Sequence, residues 1–307
     1  MAKSLIITAD DYGPVDFINA GIETAVEAKC VNTVSVLINP HGTVNSEDIQ
    51  QNVLNLKQKH PNVKIGVHLS ITSGKPVSDA NQVNSLLRNG SEFQYVHDFD
   101  YDKVNTDELK HELRAQINKL KDTGIEIDHI NCHHGLLCFF ENFLSVYIEL
   151  ANEFNVPIRQ PVPISRMRIP GFRWSVMKIQ GLYTGLRLID DINPRNYHQI
   201  LLSVKELTER ARPEMFNKQS PKYFVDKYYR RASKRRLKRI CRKLPTDGKS
   251  EMVVHLGAGN LNSNTSAPNG INAKHFIGRI KELEILLKYA DIEESLLKRY
   301  QINLNTY

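Results

Sequence analysis

The sequence predicts an α/β fold, with strands and helices alternating around a parallel sheet or a β/α barrel. Three observations carry this expectation. Short Val- and Ile-rich runs recur along the chain, several apolar nearly throughout, as strands buried on both faces are. Segments of helical length lie between them. Asp and His stand at the ends of several apolar runs, where β/α folds collect their chemistry.

Taken in order, strands are expected at residues 5–9, 33–38, 63–69, 127–132, 156–159 and 251–256. The first should stop at Asp10-Asp11, because strand interiors disfavour Asp. A helix over 16–29 would place Phe17, Ala20, Gly21, Ala25 and Ala28 inward. The next, over 46–59, opens on Ser46 as a cap candidate and ends before His60-Pro61. A third runs over 106–121, with Gly124 as its stop. Residues 139–154 and 273–289 complete the helices. From about residue 161 the period breaks, and prolines, arginines and scattered aromatics give no regular pattern. We read 1–307 as a single domain with an irregular, then basic, insertion over about 161–245. A second loop, rich in Asn, Ser and Gly, is expected over 260–272.

A chain of 307 residues with 41% hydrophobic and 24% charged residues can bury a full core. No apolar run is long enough to span a membrane. Met1-Ala2-Lys3-Ser4 leads straight into the first strand without a signal-peptide layout, so a cytoplasmic protein is expected. Cys30, Cys132, Cys138 and Cys241 fit neither a zinc-site spacing nor a disulfide framework, and are expected as thiols. Residues 227–243 hold ten Lys or Arg and no acid, so removing them from the net +7 leaves −3. The basicity is a local patch. It reads first as a solvated helix face with Tyr228, Tyr229, Leu237, Ile240 and Leu244 beneath it. The alternatives are an anionic glycan, a membrane surface or nucleic acid. Nucleic acid is not the expected partner, since aromatics for base stacking occur only at the segment's start.

Four stretches carry the chemistry. Asp10-Asp11 follows the first apolar run, and on an extended chain the two carboxylates should face opposite sides. His68 ends the third run. His129, Asn131 and His133 share one face of the fourth, with His133 at its exit and His134 beside it. His255 ends the last. Histidines packed this densely, with carboxylates at another strand end, suit a divalent metal.

These stretches, in this order, resemble the YdjC-like carbohydrate deacetylases, the family of chitooligosaccharide deacetylase. The family's Ala-Asp-Asp-Phe-Gly reads here Ala9-Asp10-Asp11-Tyr12-Gly13, and its Gly-x-His-Leu-x-Leu-Thr reads Gly66-Val67-His68-Leu69-Ser70-Ile71-Thr72. Its His-Leu-Asp-Ser-His reads His129-Ile130-Asn131-Cys132-His133, and its Cys-His-Pro-Gly reads Val254-His255-Leu256-Gly257. The resemblance implies a distorted β/α (TIM-like) barrel and metal-dependent removal of acetyl from an N-acetylated sugar. It implies Asp11, His68 and His133 as metal ligands, Asp10 as general base and His255 as general acid, with Arg159 holding Asp10 ionised. It points to magnesium as the ion, while the two imidazoles of that ligand set favour zinc or a similar ion. The chain departs from the family at Asn131 and Cys132, at Gly135 and Leu137 where further histidines stand, and at Leu256. No i, i+4 His pair can form at His133, which leaves His134 as an alternative ligand.

Two other readings compete. One is a metal-dependent hydrolase of another bond, such as a phosphoester, on the same ligands. The other is a non-catalytic binder of acidic glycan or nucleic acid through residues 227–243. A homodimer is compatible with all three readings.

Overall fold

The computed structural model of the protein describes residues 2–95, 99–138, 140–159, 219–225, 228, 232–259, 273–289 and 296–307. Most of the expected insertion (160–218), four residues of the basic segment (Lys227, Tyr229, Arg230 and Arg231) and the loop over 260–272 lie outside the described residues.

Strand β1 (Lys3–Tyr12) lies at the centre of the fold. Helix α1 (Asp16–Glu27) leads to β2 (Thr33–Val36), and α2 (Ser46–Lys59) to β3 (Lys64–Leu69). A small hairpin of β4 (Leu87–Arg88) and β5 (Glu92–Phe93) precedes α3 (Thr106–Lys121). Then come β6 (Ile127–Cys132), α4 (Glu141–Glu153), β7 (Tyr223–Val225), α5 (Lys234–Lys243) and β8 (Lys249–Val254). Helices α6 (Ala273–Tyr289) and α7 (Leu296–Arg299) and strand β9 (Ile302–Leu304) close the sequence of elements. Among the described residues the main sheet runs β6-β3-β2-β1-β8-β7, with β9 also paired to β1, and every pairing in it is parallel.

The expected mixed α/β fold is present, with a parallel sheet that curls as a half-barrel. Ile158 bridges to Ile130 beyond β6, and its N–H donates to Ser220 Oγ at 2.9 Å, three residues before β7. The sheet's two edges therefore approach each other. Among the described residues no ladder completes the closure, so the TIM-like barrel is not seen whole. The expected strand over 156–159 is reduced to that bridge, because Pro157 has no N–H to give to a ladder.

Helices cover the sheet with apolar faces. In α1 the buried apolar side is Ile18, Gly21, Ile22, Ala25 and Val26, which includes Gly21 and Ala25 of the expected stripe, while Phe17 is half-buried and Ala20 and Ala28 are exposed. Helix α2 is capped one residue earlier than expected. Asn45 Oδ1 accepts from the Asp48 N–H at 2.8 Å, and Asp48 Oδ2 accepts from the Asn45 N–H at 3.0 Å, which is a capping box. Ser46 Oγ instead donates to Ile38 O. Helix α3 likewise takes Asn105 as its cap and buries Leu109, Leu113, Ile117 and Leu120, each contributing roughly 1.5–3 kcal/mol by apolar burial. On the same face Glu112 accepts from the N–H groups of Val77 and Ser78, and Gln116 clasps both backbone groups of Ser70. These two side chains anchor the segment that leaves β3, just past His68.

Register brings the expected site residues level. Along β1 and β8, Ala9 pairs with Val254, so Asp10 and His255 emerge side by side. Along β3 and β6, His68 pairs with Asn131. Gly66 faces His129, and a Cβ there would stand 2.2 Å from the imidazole, so only glycine admits that ring.

Candidate metal centre and active site

Asp10 and Asp11 are not parted by simple strand alternation, as an extended chain would have it. Strand β1 continues through both to Tyr12, and its register with β2 slips between Ala9 and Tyr12. Asp11 takes up the irregularity at φ 73°, a left-handed conformation that Asp tolerates better than most residues. Gly13 follows at φ 140°, where a Cβ would lie 2.5 Å from Leu37 O. Asn19 fixes this turn, accepting from Gly13 N–H at 2.7 Å and donating to Gly13 O at 2.8 Å.

Asp11 Oδ1 lies 3.2 Å from His68 Nε2 and 3.1 Å from His133 Nδ1, and those nitrogens are 3.2 Å apart. Proton accounting shows what this triangle fits. Asn131 Nδ2 donates to Asp10 Oδ1 at 3.2 Å and to Ser35 Oγ at 2.7 Å. Its Oδ1 therefore faces His68 Nδ1, at 2.6 Å, and must accept a proton from it. A neutral His68 then turns a lone pair on Nε2 toward Asp11. That arrangement needs a cation between the groups, or a second proton on the ring. Ligand atoms about 2.0–2.2 Å from one ion stand roughly 3.0–3.5 Å apart for octahedral to tetrahedral angles. All three edges fall in that range, so the donor set fits a divalent metal. Asp11, His68 and His133 form the metal-competent cluster among the described residues. His134 stays out of it: its Nδ1 meets Thr72 Oγ1 at 3.0 Å and its ring lies against His133.

Asp10 is 1% exposed and sits behind this cluster. Arg159 grips it with two bonds, Nη1 to Oδ2 at 2.6 Å and Nη2 to Oδ1 at 2.8 Å. Burial alone would raise the Asp10 pKa, but Arg159, with His68 and His255, holds it well below the usual carboxylate range. Arg159 also donates through Nε to Glu251 Oε1 at 2.9 Å. Asp10, Arg159 and Glu251 thus form a buried acid–base–acid row. Glu251 is marked in the sequence only as an acid within an apolar strand run.

Asp11 has a second cationic partner. Arg279, from α6, donates to its Oδ2. Burial again works against ionisation, and Arg279 and then His133 outweigh it, holding Asp11 low. His68 shows the reverse balance: burial disfavours its charge, but Asp10 and Asp11 raise its pKa above the ordinary value. Nothing in the sequence marked Arg279, one cation among several on an amphipathic helix. His255 Nε2 lies 3.9 Å from Asp11 Oδ2, and its backbone N–H donates to Glu282 Oε2 at 2.8 Å. Burial, with Arg279 adding to it, pushes the His255 imidazole down to about 3, so the ring rests neutral at neutral pH.

All six sequence-derived site residues therefore meet in one place. The basic segment does not join them in any described contact. Its described part, α5, buries Leu237, Ile240 and Cys241 and exposes Arg235, Lys238, Arg239 and Arg242. Tyr228 and Leu244 are buried with that inner face, as expected. No helix among the described residues is long and apolar enough to cross a membrane.

A family model described as YdjC-like protein matches residues 4–290. A carbohydrate deacetylase of Oceanobacillus iheyensis is 33% identical over 154 residues, covering 50% of this chain and 63% of that protein. A carbohydrate deacetylase of Thermoanaerobacter pseudethanolicus is 24% identical over 251 residues, covering 80% and 91%. A chitooligosaccharide deacetylase of Proteus mirabilis is 29% identical over 161 residues, covering 52% and 59%. The fold matches a crystal structure from Enterococcus faecalis V583, described as a cellobiose-phosphate cleavage protein. The TM-score is 0.69 at 22% identity, over 99% of this chain and 97% of that one.

Proposed function

The chain belongs to the YdjC-like protein family, and on that premise we propose that it is a metal-dependent hydrolase that removes the acetyl group from an N-acetylated sugar. The observation that carries this reading is the triangle of acceptor atoms from Asp11, His68 and His133, with buried Asp10 directly behind it. The naming of relatives as carbohydrate deacetylases supports the substrate class.

A divalent ion held by Asp11, His68 and His133 would polarise the acetamide carbonyl and make water acidic enough to attack it. Magnesium is the choice by family, zinc by ligand type. Asp10 is the general base. Arg159 and Asn131 fix its carboxylate with three hydrogen bonds and keep it ionised, ready to take the proton of the attacking water. Asn131 also holds His68 in the tautomer that presents Nε2. His255, neutral at rest, serves as the acid by receiving a proton freed within the site and passing it to the leaving amine. Arg279 stands beside Asp11, where a cation favours negative charge developing on the substrate.

An acetate-release screen over N-acetylated mono- and oligosaccharides, with and without chelator, tests the proposal. Chelator-sensitive acetate release is the expected result. Phosphate release from sugar phosphates without acetate release would move the assignment to phosphoester hydrolysis.

A further inference from the structure

Cys132 directly precedes His133, and Cys138 ends the turn that His133 opens. Their sulfurs are 3.7 Å apart, and the two residues are 6% and 5% exposed. None of the four cysteines is in a disulfide, and Cys30 and Cys241 sit elsewhere, Cys30 near Leu286 and Cys241 next to Lys3. The pair brackets the 3-10 turn His133–Cys138, which carries a proposed metal ligand as its first residue.

Both ends of that turn are held. Cys132 is the last rung of the β6 ladder, paired with Leu69. After Cys138 the chain enters α4, which is pinned to the core by buried Phe143, Tyr147 and Leu150. Tyr147 OH also donates to Ile130 O at 2.9 Å, tying α4 to β6. Between these anchors His134 (φ 57°) and Gly135 (φ 68°) both occupy the left-handed region. A non-glycine residue there costs of order 1–3 kcal/mol, so the turn is the part that gives way. A sulfur–sulfur bond is about 2 Å long. Closing the gap therefore brings the sulfurs more than an ångström nearer, and whatever side-chain rotation does not supply falls on the turn bearing His133.

We propose that Cys132 and Cys138 are a redox-active pair whose oxidation by a peroxide forms an intramolecular disulfide and draws His133 away from Asp11 and His68. In the first step one thiol is oxidised to a sulfenic acid as the peroxide is reduced, releasing one water. The second sulfur then attacks the sulfenic sulfur, the S–S bond forms and a second water leaves. Two protons and two electrons are lost by the thiols and taken up by the peroxide. A dithiol reductant reverses the reaction by exchange. The disulfide stands on the sulfur geometry alone. Its effect on a bound ion rests on the metal reading above, so the test separates the two.

The full chain is treated with hydrogen peroxide, and its thiols are counted after denaturation. Four are expected before treatment and two after, with the peptide spanning residues 132 and 138 lighter by two hydrogens. Nitrogen-resolved NMR of the histidine rings then reports His133 in the metal-free protein, and zinc titration reports affinity. The His133 signals should move on oxidation, zinc affinity should fall by about tenfold or more, and dithiothreitol should restore both. Cys132→Ser and Cys138→Ser should each keep the reduced spectrum and zinc affinity and resist both changes. Pairing between other cysteines, or a formed Cys132–Cys138 bond with His133 signals and affinity unchanged, overturns the proposal. If the reduced chain binds no zinc while the His133 signals still move, the redox pair stands and the metal reading falls.

Discussion

Replacing Arg159 with methionine takes the cation out of a row of three buried charges. In the native protein its guanidinium neutralises Asp10 through bonds of 2.6 and 2.8 Å and Glu251 through one of 2.9 Å. Charges about 4 Å apart interact by roughly 4 kcal/mol at an effective dielectric of 20. Breaking a buried pair by removing one partner typically costs about 3–5 kcal/mol. The cost should depend on pH with a defined sign. In the native protein Asp10 has a depressed pKa, so its contribution is present above the unfolded value and is lost as pH falls. In the variant Asp10 is buried without its guanidinium, and burial then raises its folded pKa above the unfolded one. The variant's relative stability is then greatest at low pH and is lost as pH rises through the raised value. Urea unfolding of both proteins should show a gap of about 3–5 kcal/mol at pH 8 that narrows toward pH 5. A gap that is equal at both pH values, or absent, would refute the charge balance argued for this row. Arg159→Lys should recover part of the loss at pH 8, since it restores charge without the fork.

Asp10→Asn should lower kcat by about 10²–10⁴ with metal still bound, the usual worth of a general base; metal analysis beside turnover decides this, and loss of the ion would transfer the ligand role to Asp10. Asp11→Asn, His68→Ala and His133→Ala should instead reduce metal content, and unchanged content in the two histidine variants would remove the centre. Because the His68 pKa is raised, protons should compete with the ion, so affinity measured by calorimetry should fall as pH drops from 8 to 6. In the metal-free protein the same residue stabilises the fold below its unfolded pKa and less as pH rises through its folded one. Neutralising Arg235, Lys238, Arg239 and Arg242 should leave kcat on a small neutral substrate unchanged, and a collapse there would place α5 at the site.

The sequence made much of this site legible because strand ends are legible. A Val-Ile run with Asp or His at its end states both the element and the place where its side chain is delivered, and parallel pairing then sets Asp10, His68, Asn131, His133 and His255 at one level. Arg159 entered through the family resemblance, and the strand expected to carry it is reduced to a bridge. What the sequence could not show depends on close tertiary approach. Asp11 turns through a bulge that no local propensity announces. Ser46 looked like a cap because it precedes the helical period, while Asn45 won through reciprocal bonding with Asp48. Arg279 belongs to the site only because α6 packs near α1 and reaches over the end of β1, a contact across 268 positions of chain. Glu251 was in view as an acid in an apolar strand, but its partner lies 92 residues away.

The central position of β1 has a consequence for how the molecule is made. Strand β1 leaves the ribosome long before β8, which pairs along one side of it, and β9, which pairs with its opening residues. Until they arrive, the backbone of Ser4 to Ala9 has neighbours on one side at most, and Asp11 has no Arg279. Such late pairing favours slow folding and leaves an adhesive strand edge exposed during synthesis. A nascent chain arrested before residue 249 should therefore be a client for chaperones that shield β edges, and should gain protease resistance only once β8 and β9 have emerged.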